Sequence, residues 1–564
     1  MRAPEGAAPA MPRSAPTRAR RLAAAARRGA AALAAHERRA LAALVLVHWV
    51  AVAAFALTVR HNGWAYYQGG DQIWLATTGW LLAGGELAPT YVGYGWPLVL
   101  APMTALTGPG YLAAMPLVVA VNVLVLAPLA LWAVHGLAAR VAGPLFGLLA
   151  AATWVAAPFA VIPLWRADYH ERYVEQFLPQ AVGLTALADY PSLVLLVVAA
   201  HLFVRALGTR APLDAVAAGL VAGFAIGTKP SNALFLAAPP LAALAARRVR
   251  PLLPYALALV PAALTLALWK QRGLGTLPLL AFEEARTAVG ATAALALPDV
   301  DRYLNVDLDT FRSNMAHLRE YFWSARLLQW LPLAGLVGLA RFSPPVAAAA
   351  GGWFATFLVF KGATPLSTVE SGSFFRLLLP ALPAYVLLAV GVVLLVPTLG
   401  RRTLAAWPAA PLRVVPTRAV VALAVLLALL PLAAAALARP LAEPPRALLV
   451  NGILTPVDDG VRVDVAADGE ARTLSWEHDG TGRGAVFYRV YRTAAGGADH
   501  VCARDGGAAE CSLQLLLLGT TREPRWRDGS PPPGATYRIG IATNWLDDPE
   551  AGDVFLLSPP VPAS

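Results

Sequence analysis

The sequence predicts an α-helical polytopic membrane protein of about 11 transmembrane helices, ending in a C-terminal all-β sandwich domain. Three observations predict it. Of 564 residues, 58% are hydrophobic and 14% charged, whereas a soluble globular protein carries roughly 25% charged residues. The apolar residues gather in blocks of about 17–23, the length a helix needs to cross a hydrocarbon core. Towards the C-terminus the apolar runs shorten to strand length and alternate with polar residues.

Residues 1–40 are rich in Ala and Arg and read as a disordered, basic cytoplasmic tail. A cleavable signal peptide would have a shorter basic region and a small-residue cleavage site. Here the apolar stretch 41–59 runs into Arg60, His61 and Asn62, so the first span reads as retained. Spans are expected near 41–59, 112–134, 144–163, 190–206, 213–228, 230–246, 251–269, 326–340, 344–360, 377–397 and 419–438. The segment 96–108 reads as a re-entrant or interfacial helix.

The formal charge of +11 is carried almost wholly by arginine; the lysines are Lys229, Lys270 and Lys361. Abundant Ala, Arg, Pro and Gly fit a GC-rich bacterial genome. With the N-terminus inside, the inner loops hold Arg140, Arg205, Arg210, Arg247, Arg248, Arg250, Arg341, Arg401, Arg402, Arg413 and Arg418, with Asp214 nearly their only acid. The outer loops 60–95, 164–189 and 270–325 mix acids with bases. This is the positive-inside pattern. It predicts a multi-pass bacterial plasma-membrane protein with its C-terminal domain outside, and it accounts for the basic balance without nucleic acid.

The expected domains are the tail 1–40, a membrane domain 41–440 and an extracytoplasmic β-domain 441–564. In the last, strand-like runs such as Thr473-Leu474-Ser475-Trp476, Val486-Phe487-Tyr488-Arg489-Val490-Tyr491 and Thr536-Tyr537-Arg538-Ile539 are separated by turn residues. They resemble strands of a fibronectin type III module, with Trp476 and Tyr537 at matching places. Cys502 and Cys511 lie in this exported part, where disulfides persist; a bridge between them would close a short loop, and two separate thiols are the alternative. No CxxC pair or His/Cys cluster points to zinc or redox chemistry.

The spans are nearly uniformly apolar, and polar residues crowd at their outer ends. A transporter would place ionisable residues in mid-span, so a site at the outer bilayer surface is expected. In the first outer loop Asp71 follows two glycines and opens a stretch with Ile73-Trp74 and Trp80-Leu81 seven residues apart. That spacing predicts an amphipathic interfacial helix holding a carboxylate at headgroup depth. Asp71 is equally read as that helix's N-cap, and the two roles are compatible.

An acid on such a helix, followed by a GYGWPL segment, resembles the GT-C superfamily of polyprenyl-phosphate-sugar-dependent glycosyltransferases. Ala188-Asp189-Tyr190-Pro191-Ser192, Gly227-Thr228-Lys229-Pro230-Ser231 and Phe375-Arg376-Leu377-Leu378-Leu379-Pro380 follow in the order found in the protein mannosyltransferase and aminoarabinose transferase branch. The resemblance covers roughly 41–440. It implies a donor sugar on a polyprenyl phosphate, an acceptor hydroxyl deprotonated by Asp71, and inversion at the anomeric carbon. Gln72 stands where many relatives have a second acid, which leaves open a possible divalent metal. Lys229, Arg376 and Lys361 are expected to bind the phosphate, with interfacial anchoring the alternative for the lysines. Asp189 either caps its helix or shapes the sugar pocket, and Lys270 reads as an anchor.

Asp168, His170 and Glu171 read as a solvated loop face, with sugar or metal binding the alternative, and 270–325 as a lid. The Asp299/Asp301 and Asp307/Asp309 pairs have DxD-like spacing that is common by chance. A flippase of lipid-linked saccharide is a second reading, and a non-enzymatic surface scaffold displaying the β-domain a third. The expected partners are a polyprenyl-phosphate sugar, membrane lipids, and a glycan, lipid or protein acceptor. The β-domain is expected to be peripheral to the chemistry.

Overall fold

The computed structural model describes residues 18–58, 70–89, 92–160, 177–275, 307–321, 327–364, 373–407, 411–441, 445–478, 486–503, 508–543 and 552–563. The N-terminal helices are α1 (Arg18–Ala35), α2 (Glu37–Thr58), α3 (Gly70–Ala83), α4 (Gly95–Thr107), α5 (Tyr111–Ala142) and α6 (Pro144–Ala160). There follow α7 (Asp189–Thr209), α8 (Pro212–Thr228), α9 (Pro230–Ala245), α10 (Leu252–Leu274), α11 (Leu308–Tyr321), α12 (Leu327–Phe342), α13 (Pro344–Gly362), α14 (Phe375–Leu395) and α15 (Thr417–Leu437). Each expected span falls on one of these helices. Among the described residues 6 helices (α2, α5, α7, α10, α14 and α15) are long and apolar enough to cross a membrane, while α6, α8 and α9 are apolar but shorter. Residues 18–40, expected as a disordered tail, form α1 and the start of α2. Ala, Leu and Arg are strong helix formers.

Small residues set the helix spacing. Gly335 and Gly338 of α12 lie against the carbonyls of Leu388 and Gly391 on α14, where any side chain would collide. Helices α7 and α8 form an antiparallel hairpin whose turn is locked by the buried Asp214. Its carboxylate accepts from the Val415 N–H at 2.7 Å and the Thr209 hydroxyl at 2.7 Å, with Arg205 Nε at 3.3 Å. The opposite end of the hairpin, about 30 Å away along α7, brings Asp189 beside Lys229.

Strand β1 (Glu86–Leu87) pairs in parallel with β2 (Arg439–Pro440), tying the first loop to the chain beyond α15. The C-terminal β-region holds β3 (Ala447–Val450), β4 (Ile453–Pro456), β5 (Arg462–Asp468), β6 (Ala471–Glu477), β7 (Val486–Arg492), β8 (His500–Ala503) and β9 (Glu510–Leu513). It continues with β10 (Leu516–Thr521), β11 (Arg525–Asp528), β12 (Thr536–Thr543), β13 (Val554–Leu557) and β14 (Val561–Pro562). One sheet has the order β11-β6-β5 and a second β10-β7-β12-β13, with β14 on β12. Leu474 and Trp476 of the first sheet pack on Val490, Tyr537 and Ile539 of the second. A third sheet, β4-β3-β9-β8, carries the Cys502–Cys511 disulfide as a directly opposed pair.

Helix α3 departs from the expected amphipathic surface helix. Gln72, Ile73, Trp74, Leu75, Ala76, Thr77, Thr78 and Leu81 are all buried. Its residues Ile73, Leu75 and Ala76 share a cluster with Val461, Ile541, Phe555 and Leu556, and Trp74 and Leu81 share one with Leu449 and Leu454. Helix α4 covers the other side, with Gly79 against Pro97, Leu100 and Ala101. The β-region is therefore packed directly on α3.

Candidate active site

Four charged side chains meet at one end of the helix bundle. Asp71 lies in the first turn of α3 and Asp189 in the first turn of α7, where the helix dipole favours a negative charge. Asp71 is the second residue of α3 as described. Lys229 follows the last residue of α8, where a positive charge is favoured. Proline at 230 excludes helical backbone from the residue before it, and Lys229 is extended at φ −144°, ψ 108°. Its Nζ donates to Asp189 Oδ1. Arg376, in the first turn of α14, donates through Nε to Asp189 Oδ2 at 3.3 Å and through Nη2 to Asp71 Oδ2. Two carboxylates and two cations form one network.

The two acids differ in access. The Asp189 side chain is 1% exposed beneath Lys229 and Arg376, whereas that of Asp71 is 52% exposed. The buried acid can only serve the cations; the open one can meet a reactant. Arginine has five N–H donors and the ammonium three. The contacts above use two and one of them, which leaves donors for an anion.

Backbone contacts hold the acids in register. The buried Gln72 accepts through Oε1 from the Ala186 N–H at 2.6 Å, and Trp96 Nε1 donates to the Ala186 carbonyl at 2.6 Å. Asn122 Nδ2 donates to the carbonyls of Gly183 at 3.0 Å and Thr185 at 3.2 Å. These three side chains fix the segment leading into Asp189. Sequence reasoning missed their role, although a single amide in the apolar run 112–134 was a signal. The GYGW and GTKPS segments lie against each other. A Cβ on Gly93 would collide with the Gly227 carbonyl, and one on Gly95 with the Thr228 hydroxyl.

The other expected residues are not members of this ion-pair network. Lys361 is buried near the C-terminal end of α13, and the ion pairs joining the other four do not include it. Lys270 is a buried donor to the Val92 carbonyl at 2.9 Å, not an exposed anchor. Asp307 caps α11, accepting from the Asp309 N–H at 2.9 Å and the Thr310 hydroxyl at 2.6 Å. The hydroxyl bond, followed by the backbone one, holds its carboxyl below the ordinary range. Asp168, His170, Glu171, Asp299 and Asp301 lie outside the described residues, as does most of the expected lid.

Among the described residues the Arg376 guanidinium pairs with both Asp71 and Asp189 and the Lys229 ammonium with Asp189, so these carboxylates serve cations that the chain itself supplies. Among the described residues no group of three His, Cys, Asp or Glu side chains is placed to hold a metal ion.

No protein-family model matches the chain, and no curated protein does. Among solved structures it is similar to the archaeal oligosaccharyltransferase AglB of Archaeoglobus fulgidus in complex with an inhibitory peptide and a dolichol-phosphate. The TM-score is 0.36 at 15% identity, covering 71% of this chain and 56% of that one. It is also similar to the apo form of the Archaeoglobus fulgidus oligosaccharyltransferase, with TM-score 0.37, 14% identity, and 72% and 56% coverage. The chain thus spans a little over half the length of those proteins. Likeness of this extent assigns no family.

Proposed function

We propose that this chain is a membrane glycosyltransferase of the GT-C kind, moving a sugar from a polyprenyl phosphate to an acceptor hydroxyl at the extracytoplasmic face. The observation that carries the reading is the network of Asp71, Asp189, Lys229 and Arg376, drawn from four distant parts of the chain to one end of the bundle. In the proposed step Asp71 takes the proton of the acceptor hydroxyl, whose oxygen bonds to the anomeric carbon from the face opposite the phosphate. The carbon–oxygen bond to phosphate breaks and its electron pair leaves with the lipid phosphate. Unused donors of Lys229 and Arg376 meet that growing charge, the kind of fixed electrostatic help that most lowers such barriers. Asp189 holds the two cations in place. Lys361 is assigned a supporting place near the phosphate. No metal takes part in this account.

In this reading α2 to α15 form the membrane domain with the N-terminus cytoplasmic, and the β-region is an extracytoplasmic module of fibronectin type III kind. The acceptor is a glycan, lipid or protein of the cell envelope. Mass-spectrometric comparison of glycans and glycoproteins from deletion and wild-type cells tests the reading. One sugar addition disappears on deletion and returns with the gene; an unchanged glycan profile contradicts it.

A further inference from the structure

Helix α3 carries Asp71, yet its partners along much of its length come from the C-terminal β-region. At its first residue, Gly70 lies so close to the Ile453 side chain of β4 that any Cβ would collide, and the Asp553 carboxylate is adjacent. Along its length the apolar side chains are covered by Val461, Phe555 and Leu556 on one side and Leu449 and Leu454 on the other. At its last turn the Arg446 guanidinium stacks over the Trp80 ring, 4.2 Å from the centroid, and pairs with Glu86 at 3.2 Å. Gly84 leaves the room that this guanidinium fills. Just beyond, the Arg439 N–H donates to Gly85 at 2.8 Å and the Leu441 N–H to Leu87 at 3.0 Å. The Ala508 N–H donates to Gly273 at the end of α10 at 3.3 Å, and the Ala509 N–H to Leu441 at 3.2 Å. The disulfide-closed hairpin β8–β9 thus braces the same junction.

Lys229 and Arg376, in contrast, sit on helices whose partners are other helices. Helix α4 touches both, at Gly79 of α3 and at Thr228 just before Lys229, so the β-region is the support that belongs to the helix of the base in particular. We infer that the β-region is a clamp that sets the position of Asp71 against the two cations, with Arg446 as a positioning residue acting through Trp80 and Glu86. The inference rests on the proposed role of Asp71 only for its effect on transfer; the clamp itself is a statement about α3. Arg446 is the handle for a test because its side chain is 41% exposed, so replacing it opens no core cavity.

The experiment compares full-length wild type with Arg446→Ala, Arg446→Lys and Glu86→Gln. Three readouts are taken: amide hydrogen exchange in Gly70–Ala83, binding of undecaprenyl phosphate, and restoration of the missing glycan in deletion cells. A cation–aromatic contact and a partly exposed ion pair together predict roughly tenfold faster exchange in α3 for Arg446→Ala. Exchange in α7 and α8 stays unchanged and lipid-phosphate affinity stays within about twofold, while glycan product falls by roughly tenfold. Arg446→Lys, which keeps a cation over the ring, recovers most of the product, and Glu86→Gln gives an intermediate loss. Unaltered α3 exchange in Arg446→Ala overturns the clamp. So does a loss of lipid binding in step with product, which marks general unfolding. Wild-type protein that binds no lipid phosphate contradicts the donor reading alone, and α3 exchange then still decides the clamp.

Discussion

Arg376 donates a hydrogen bond to Asp71 across 305 residues of chain, and its Nε reaches Asp189 at 3.3 Å. One guanidinium therefore sets the separation of the exposed acid from the buried one. Arg376→Gln removes both pairs and the charge offered to a phosphate. Hydrogen bonds to charged groups contribute about 1.5–3 kcal/mol, so undecaprenyl phosphate should bind roughly 10- to 100-fold more weakly. Native mass spectrometry over a lipid titration measures this, and unchanged affinity removes Arg376 from the phosphate site.

Asp189 should need its cations more than they need it. Its side chain is 1% exposed, and Lys229→Met leaves it with Arg376 alone. Breaking a buried pair from one side costs about 3 kcal/mol or more. Thermal unfolding in detergent should show Lys229→Met clearly destabilised. The double change Lys229→Met with Asp189→Asn should recover most of the loss, because no buried charge is then left unpaired. Equal destabilisation of the single and double variants contradicts this.

Gln72 is predicted to matter through the backbone it holds. Gln72→Leu leaves the buried Ala186 N–H without its 2.6 Å partner, at a cost of about 1–3 kcal/mol. Gln72→Glu keeps an acceptor oxygen there and should retain the geometry better. Amide exchange of residues 183–188 distinguishes the two, being faster in the leucine variant.

The β-region should carry an acid-sensitive element. Burial works against the Asp528 carboxylate, but bonds from the Tyr537 hydroxyl at 2.7 Å and Arg492 at 2.6 Å outweigh it and hold its pKa below 3.8. A carboxylate with a depressed folded-state pKa stabilises above its unfolded pKa, and that stability is lost as pH falls through the folded value. Asp528→Asn should therefore weaken β12 by about 1–2 kcal/mol at pH 6, with the deficit shrinking below about pH 4. Opening free energies from amide exchange of Thr536–Thr543 report it; a deficit independent of pH contradicts the charge-based account.

The charged part of the site was legible in the sequence for a simple reason. In a chain this apolar, Asp71, Asp189, Lys229 and Arg376 have few stable places except beside one another. Apolar block length located the helices in the same way. The support of the site was not legible. Gln72 pairs with a backbone group 114 residues away, and β1 finds β2 near residue 439, contacts that leave no periodic mark. The Trp and Ile spacing in α3 suggested one apolar face, but Gln72, Thr77 and Thr78 are buried too, Gln72 against the Ala186 backbone. Nothing in the sequence pattern marks Arg446, and only folding shows it stacked on Trp80.

The central claim is that Asp71 acts as the base while the neighbouring cations hold the lipid phosphate. Its most direct measurement pairs undecaprenyl-phosphate binding by purified Asp71→Asn protein with product formation in complemented deletion cells. The account predicts lipid-phosphate affinity near that of wild type and glycan transfer lower by about 10²–10⁴-fold, the usual worth of a general base. Wild-type transfer by Asp71→Asn would contradict it and leave Asp71 as an ion-pair partner of Arg376 alone.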